Sequence, residues 1–281
     1  MNSEEVTPDK AFAQLGNETR IRIVQELGDT DEPLRFSELK ERVGTRDSGQ
    51  FNYHLDQLVG TFLRKTDDDR YELSYAGGQV VGAILSGEYN RQGTDDRFTL
   101  DRACPNCGSQ IEATYENERV EVQCPACDEF LSGFGFPPGG FEGRSDEELP
   151  STFNNWVLGL CRLAIGGICF NCLGAMTGSL SDEKSEFHEG QPVFVRFRCN
   201  RCANQTTMAV NSYLSLHSVV ISFLYDHGVD VFDGELWDLE FLREDTLSIR
   251  STEPLVVEST IELDGDGLTL VVEDDLSVRT V

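Results

Sequence analysis

Eight of the nine cysteines in this 281-residue chain fall into four Cys-x-x-Cys pairs, and no other feature restricts the fold as much. They read Cys104-Pro-Asn-Cys107, Cys124-Pro-Ala-Cys127, Cys169-Phe-Asn-Cys172 and Cys199-Asn-Arg-Cys202. A Cys-x-x-Cys turn delivers two thiolates to one side. A second turn supplies the other two corners of the tetrahedron that Zn2+ prefers, at about 2.3 Å from each sulfur. Sixteen residues separate the first two pairs, and TYENERVEVQ between them has strand character, as in a zinc ribbon. Twenty-six residues separate the last two. There PVFVRFR runs into Cys199 as RVEVQ runs into Cys124, so the ribbon is expected twice. The eight cysteines are therefore expected to hold two Zn2+ per chain. Each ribbon holding its own ion is the simpler pairing, but inner pairs sharing one ion and outer pairs another also fit the spacing. Four thiolates close a site and leave no position for substrate, which predicts structural metal. Thiols used this way point to a reducing compartment, the cytoplasm. The ninth, Cys161, lies in FNNWVLGLCRLAIGG among Leu160, Leu163 and Ile165, and is expected to be a small buried apolar residue.

The formal charge is −27, and it is spread along the chain. Residues 1–85 carry 16 acidic against 10 basic side chains, and residues 86–281 carry 34 against 13. Only four lysines occur: Lys10, Lys40, Lys65 and Lys184. An acidic, lysine-poor but foldable sequence suits a halophile's cytoplasm, where molar salt screens self-repulsion within about 3 Å; the alternative is an ordinary acidic protein. No apolar run approaches the ~20 residues of a membrane span, and no basic-then-apolar leader opens the chain.

Residues 8–85 alternate helix signals with short turns. Asn17 is expected to cap a helix through Leu27, with Ile21, Val24 and Leu27 inward and Gly28 as its stop. Ser37 would cap a second helix, with Leu39 and Val43 inward and Gly44 at its end. Asp47 would cap a third, in which Phe51, Leu55, Leu58 and Val59 follow helical spacing. Strands over 62–65 and 70–74 flank an acidic turn at Asp67–Asp69, and a glycine-weakened helix follows over 76–85.

Three helices followed by a hairpin form a winged helix-turn-helix. The order resembles ArsR-like transcriptional regulators: AFAQLGNETRIRIVQEL is similar to their opening helices, and FNYHLDQLVGTFLRK to their recognition helix and the start of their wing. The resemblance covers roughly the first 85 residues. It implies sequence-specific binding to double-stranded DNA and a homodimer on paired half-sites. The metal-sensing cysteines of that family sit on the helix before the recognition helix. Here that helix is SELKERV, with neither Cys nor His, so a metal response is not implied.

With Phe51, Leu55 and Leu58 inward, the residues expected to face DNA are Arg46, Ser48, Gly49, Gln50, Tyr53 and Gln57, with Asn52 at the edge. Gln and Asn can bond adenine bidentately, and Tyr can reach phosphate or a thymine methyl. Arg64, Lys65 and Arg70, with Arg35, are candidates for phosphate contact. The competing reading is a plain surface helix. Net negative charge weighs less against DNA binding at molar salt, where counterion release fades.

The remaining organisation reads as a linker over 86–102, a first ribbon over 103–144, a helix and second ribbon over 145–208, and a helix with an antiparallel sheet over 209–281. The class is α+β. One apolar helix is expected over Val210–Asp226, ended by His227-Gly228. The strands LSIR, LVVESTIEL, LTLVVE and LSVRTV follow, with a turn at Asp264-Gly265 or Asp266-Gly267. His217 and His227 are expected in capping roles. Arg196, Arg198 and Arg201 form a basic spot near the last knuckle, or simply face solvent. No nucleophile elbow, phosphate loop or dinucleotide fingerprint is present, so no enzyme is expected. Two rivals to a DNA-binding regulator stand: an archaeal general-factor-like adaptor contacting RNA polymerase, and an enzyme with an appended winged helix.

Overall fold

The computed structural model describes residues 6–93, 96–183, 192–235, 239 and 246–281. The chain divides into two compact units, Met1–Gln92 and Gly93–Val281.

The first unit contains α1 (Pro8–Leu15), α2 (Glu18–Gly28), β1 (Leu34–Arg35), α3 (Phe36–Val43), α4 (Ser48–Leu58), β2 (Leu63–Lys65), β3 (Arg70–Leu73) and α5 (Tyr75–Ser86). The three strands form one sheet in the order β1-β3-β2, with both neighbouring pairs antiparallel. Asn17 caps α2 as expected, its side-chain oxygen accepting from the amides of Thr19 and Arg20. The helix ends at Gly28, one residue later than expected. A Cβ on that glycine would lie 2.8 Å from a Val81 methyl, so its smallness lets α2 approach α5. Ile23, rather than half-buried Ile21, joins Val24 and Leu27 in the core. Ser37 is not the cap of α3. That helix starts at Phe36, two residues earlier than a Ser37 cap would have it, and the Glu38 carboxylate accepts the Arg35 amide at 2.7 Å, supplying the cap from inside the first turn. Gly44, at φ 75°, ends α3 in the left-handed region.

Asp47 opens α4 by accepting from the amides of Gly49 and Gln50 at 2.7 and 3.1 Å. Between these caps only residues 44–47 separate α3 from α4. Phe51, Leu55 and Leu58 are fully buried and pack with Leu39, Val43, Phe62 and Leu63, each burial contributing on the order of 1.5–3 kcal/mol. Val59 is not part of this set; it leaves the helix as its C-cap and is 37 % exposed. His54, in contrast, is buried and stacks edge-on with Tyr53.

The second unit begins inside the stretch expected to be a linker. Asp96–Ala103 is a strand, β4, paired with β5 (Gln110–Glu116), because an edge beside the first knuckle offers ladder partners to even a polar sequence. Thr94 and Asp95 of that stretch lie outside the described residues. β6 (Arg119–Gln123) and β7 (Phe130–Gly135) complete a four-stranded antiparallel sheet in chain order. The β5–β6 hairpin turns on Asn117 and Glu118, both at positive φ, as a two-residue turn requires. A short 3-10 turn (Pro138–Phe141) leads to α6 (Leu149–Ile165), which buries Phe153, Val157, Leu158, Cys161 and Ala164.

β8 (Met176–Ser181), β9 (Phe194–Cys199) and β10 (Gln205–Ala209) make the next antiparallel sheet. The single helix expected over Val210–Asp226 is two, α7 (Val210–Ser215) and α8 (Ser218–Asp226). The chain is extended at His217, whose Nδ1 accepts the Val219 amide and so caps α8. That break buries Leu214 and Leu216 as well as Val220 and Leu224. β11 (Leu247–Thr252), β12 (Leu255–Leu263), β13 (Asp266–Val272) and β14 (Val278–Thr280) form the last sheet, its central hairpin turning on Asp264-Gly265. One apolar core runs through all of this, from Leu100 and Ile111 through Val195 and Leu214 to Ile261 and Leu270. No helix among the described residues is long and apolar enough to cross a membrane.

Two glycines of α5 give a test of this packing with opposite signs. A Cβ on Gly77 would fall 2.2 Å from the Phe62 carbonyl oxygen, whereas one on Gly78 would meet nothing within 4 Å. Gly77→Ala is expected to destabilise the first unit by about 1–3 kcal/mol, and Gly78→Ala to stabilise it by about 0.5–1 kcal/mol, in urea unfolding.

Candidate metal centres and the exposed face of the fourth helix

The four knuckles share one backbone design. The amide of each leading cysteine donates to the carbonyl five residues on: Cys104 to Ser109, Cys124 to Glu129, Cys169 to Gly174 and Cys199 to Asn204, at 2.6 to 2.9 Å. The residue after each second cysteine turns into the left-handed region; these are Gly108, Asp128, Leu173 and Ala203. The loop curls each Sγ pair onto one side.

These loops assemble two thiol quartets, Cys104, Cys107, Cys124 and Cys127, and Cys169, Cys172, Cys199 and Cys202, with all sulfurs of a quartet within 4.8 Å of one another. Pairing is therefore sequential, and the crossed alternative is overturned. Within the first quartet Cys104 and Cys127 are 3.7 Å apart and Cys107 and Cys124 3.5 Å; in the second Cys169 and Cys202 are 3.7 Å apart and Cys172 and Cys199 3.5 Å. A tetrahedron with 2.3 Å metal–sulfur bonds has edges of about 3.8 Å. A disulfide needs about 2.05 Å. Both quartets are thus able to hold a metal ion such as zinc, and neither is disulfide-bonded.

Surrounding donors favour the thiolate at Cys107 and Cys199, whereas Cys127 and Cys172 are pushed up to about 12. The amide of Asn106 points at Cys104 Sγ at 3.4 Å, and that of Arg201 at Cys199 Sγ at 3.3 Å. Ser109, through its hydroxyl and then its amide, draws the Cys107 thiol down to about 6. The amides of Cys202 and Arg201 draw Cys199 down to about 6. Sequence reading missed a further pair: Asn106 Nδ2 approaches Cys127 Sγ at 3.7 Å, and Asn171 Nδ2 approaches Cys202 Sγ at 3.6 Å. The signal was present, since both leading knuckles read Cys-x-Asn-Cys. Cys161 is buried away from both quartets, and burial pushes its thiol up to about 12, as befits an inert packing residue.

A family model described as a domain of unknown function (DUF7351) matches residues 101–278. The chain belongs to the DUF7351 family. A second model, described as a domain of unknown function (DUF7347), matches residues 8–84. The gap between the two matches contains the boundary between the two compact units. No curated protein matches the chain.

In the first unit, every residue expected on the outward side of α4 is exposed: Arg46, Ser48, Gly49, Gln50, Asn52, Tyr53 and Gln57. Gln50, Tyr53 and Gln57 fall on one stripe at i, i+3 and i+7. Asn52 is engaged, donating to Asp56 at 2.8 Å, and Ser48 accepts from the Lys40 ammonium at 2.7 Å. The cations of the β2–β3 hairpin are all paired with its acids. Arg64 faces Glu72 at 3.4 Å across the ladder, Lys65 binds Asp69 at 2.8 Å, and Arg70 binds Asp68 at 2.9 Å. The acidic turn thus bonds to the strands it joins.

Of the basic spot near the last knuckle, Arg196 is spent on Glu183 at 2.7 Å, while Arg198 and Arg201 are exposed. His217 has the capping role expected of it. His227 ends α8 with its Nδ1 2.8 Å from the Phe223 carbonyl and its Nε2 3.3 Å from Asp266.

Two outcomes follow from these contacts. Asn106→Ala and Asn171→Ala should each accelerate metal release to a chelator from their own quartet, on the order of 10- to 100-fold, with the other quartet unchanged; stopped-flow release kinetics read this. The Phe223 carbonyl, and then Asp266, hold the His227 pKa above its ordinary 6.5. The stabilisation from this contact is complete below the unfolded pKa and is lost as pH rises through the higher folded value. Titration of His227 by NMR should show the raised midpoint, and Asp266→Asn should bring it down.

Proposed function

We propose that the chain is a sequence-specific DNA-binding transcriptional regulator that reads DNA with α4 and carries two structural zinc ions. The observation that supports it best is the make-up of α4. The helix is capped at its start by Asp47 and anchored by Phe51, Leu55 and Leu58. It presents Gln50, Tyr53 and Gln57 to solvent beside a short hairpin. A surface helix in so acidic a chain would be expected to carry charge outward. Among the exposed side chains of Ser48–Leu58 only Asp56 is charged, and it accepts from Asn52; the stripe beside it carries amides and a phenol, groups that match base edges in a major groove. The α3–turn–α4 arrangement followed by β2 and β3 is the winged helix-turn-helix of this reading. The ArsR-like resemblance of the same residues adds to it, and a homodimer would place two copies of α4 on paired half-sites.

Zinc is the metal of the reading because an all-thiolate, closed tetrahedron is the usual structural zinc site. The working environment is a cytoplasm at molar salt, which reconciles −27 formal charges with a polyanionic partner.

A second reading, an adaptor at RNA polymerase, draws on one observation. The knuckle position filled elsewhere by Gly108, Asp128 and Ala203 holds Leu173, 73 % exposed, with Arg201 also exposed in the quartet's other knuckle. An exposed leucine in the left-handed region suits a protein contact better than a solvated turn.

Chromatin immunoprecipitation in the native host, with two zinc per chain verified by elemental analysis, separates the readings. Sharp peaks sharing a short near-palindrome, lost in a Gln50→Ala/Tyr53→Ala variant, are expected. Enrichment at most active promoters, unchanged by that variant but lost in Leu173→Asp, would favour the adaptor.

A further inference from the structure

We infer that α4 selects adenine–thymine pairs through base-edge contacts and draws little of its affinity from phosphate. This rests on the DNA-reading role proposed for the helix and specifies what that role recognises.

The chemistry of the stripe is one-sided. Guanine offers two acceptors to the major groove, N7 and O6, and is matched by a double donor, arginine or lysine. Adenine offers an acceptor, N7, and a donor, the N6 amine, and is matched by a carboxamide with one of each. Ser48–Leu58 contains no arginine or lysine. Its exposed stripe has carboxamides at Gln50 and Gln57, with the Tyr53 ring between them, 57 % exposed and able to pack on a thymine methyl. A guanine opposite either glutamine would leave one acceptor unmet. Asn52, the third carboxamide, gives an N–H to Asp56 and is less available.

Phosphate contacts are curtailed from two directions, which leaves exposed Arg35 and Arg46 as the main candidates for them among the cations expected to flank the helix. A helix N-terminus ordinarily attracts an anion through its free amides. In α4 the Asp47 carboxylate already accepts from the amides of Gly49 and Gln50. A phosphate arriving there would meet a like charge. The hairpin cations Arg64, Lys65 and Arg70 each hold an acid of the same hairpin. A phosphate can take them only by displacing a carboxylate, and that exchange releases few condensed counterions. Affinity should therefore depend weakly on salt, with discrimination resting on the amides.

The test uses the full-length, metal-loaded chain in molar KCl. Wild type, Gln50→Ala and Gln50→Arg are taken through selection from a random duplex pool, with far-UV circular dichroism confirming that each is folded. The wild type is then titrated with its selected site, in which 7-deazaadenine replaces adenine. Selected half-sites with adenine at fixed positions are expected, together with a loss of about tenfold on removing N7. One position should lose its adenine preference in Gln50→Ala and turn to guanine in Gln50→Arg. The log–log slope of affinity against salt should be shallower than about −2, the slope of roughly two phosphate contacts. A wild-type motif centred on guanine, or tight binding indifferent to 7-deazaadenine, overturns the inference while leaving DNA reading in place. A steep salt slope overturns its phosphate half. A folded wild type that enriches no sequence overturns the DNA reading and the inference together. The 7-deazaadenine arm needs no mutant, so it decides the matter even where a Gln50 variant fails to fold.

Discussion

The second unit depends on the closure of its two sulfur quartets. Four thiols 3.5 to 3.7 Å apart along their shortest edges are neither bonded to each other nor well separated. A divalent cation at the centre of each quartet would turn that crowding into four bonds. The quartets in turn fix the sheets: the knuckle at Cys104 sets where β5 starts, the one at Cys124 where β6 ends, and Cys199 is itself the last residue of β9. The cost of such an ion would be electrostatic, since four thiolates around a dication leave two net negative charges per site in a chain already carrying −27. Donors directed at the sulfurs offset it. The carboxamides of Asn106 and Asn171 do so at matching positions in the two sites, and the amides of Asn106 and Arg201 do so from the leading knuckle of one and the trailing knuckle of the other.

Much of this was readable from spacing because cysteine chemistry is local. Two residues between thiols define a knuckle, and strand-like residues between knuckles define a hairpin. In the first unit, apolar residues at helical spacing mark α4 and its buried face for the same reason. What spacing could not give depends on contacts remote in sequence. That Gly28 also lies against Val81 requires knowing that α5 returns to that spot. That Asp96–Ala103 is a strand requires a partner edge, because its own composition reads as a linker. The break between α7 and α8 was hidden because apolar residues on both sides of His217 keep a helical rhythm; only the shared core demands the turn. The ion pairs of the hairpin were within reach, since Arg64 and Glu72 face each other once the turn at Asp67–Asp69 is placed.

Those ion pairs bear on how an acidic protein manages its few cations. Arg64, Lys65, Arg70, Arg97, Arg119 and Arg196 each lie against a carboxylate of their own unit. Exposed pairs of this kind contribute little stability, typically under about 1 kcal/mol each. Their larger effect is on what remains visible to a partner. A cation held by a carboxylate presents a dipole rather than a charge, so the exterior is more uniformly acidic than the count of arginines implies.

This places a limit on any polyanion-binding role. Where salt is dilute, counterion release is the main source of protein–DNA affinity, and a surface like this one forgoes it. At molar salt the same term is nearly gone for every protein, so forgoing it costs little, and acidic groups suppress indiscriminate binding. Selectivity then has to come from groups whose interactions survive screening: carboxamides against base edges, aromatic rings against methyls, and the shape of a rigid helix. The exposed stripe of α4 consists of such groups, and the buried Phe51, Leu55 and Leu58 hold it rigid from behind. On the proposed reading, the acidity and the carboxamide-and-phenol stripe are two parts of one adaptation, because a chain with little charge to hold DNA must use geometry to recognise it.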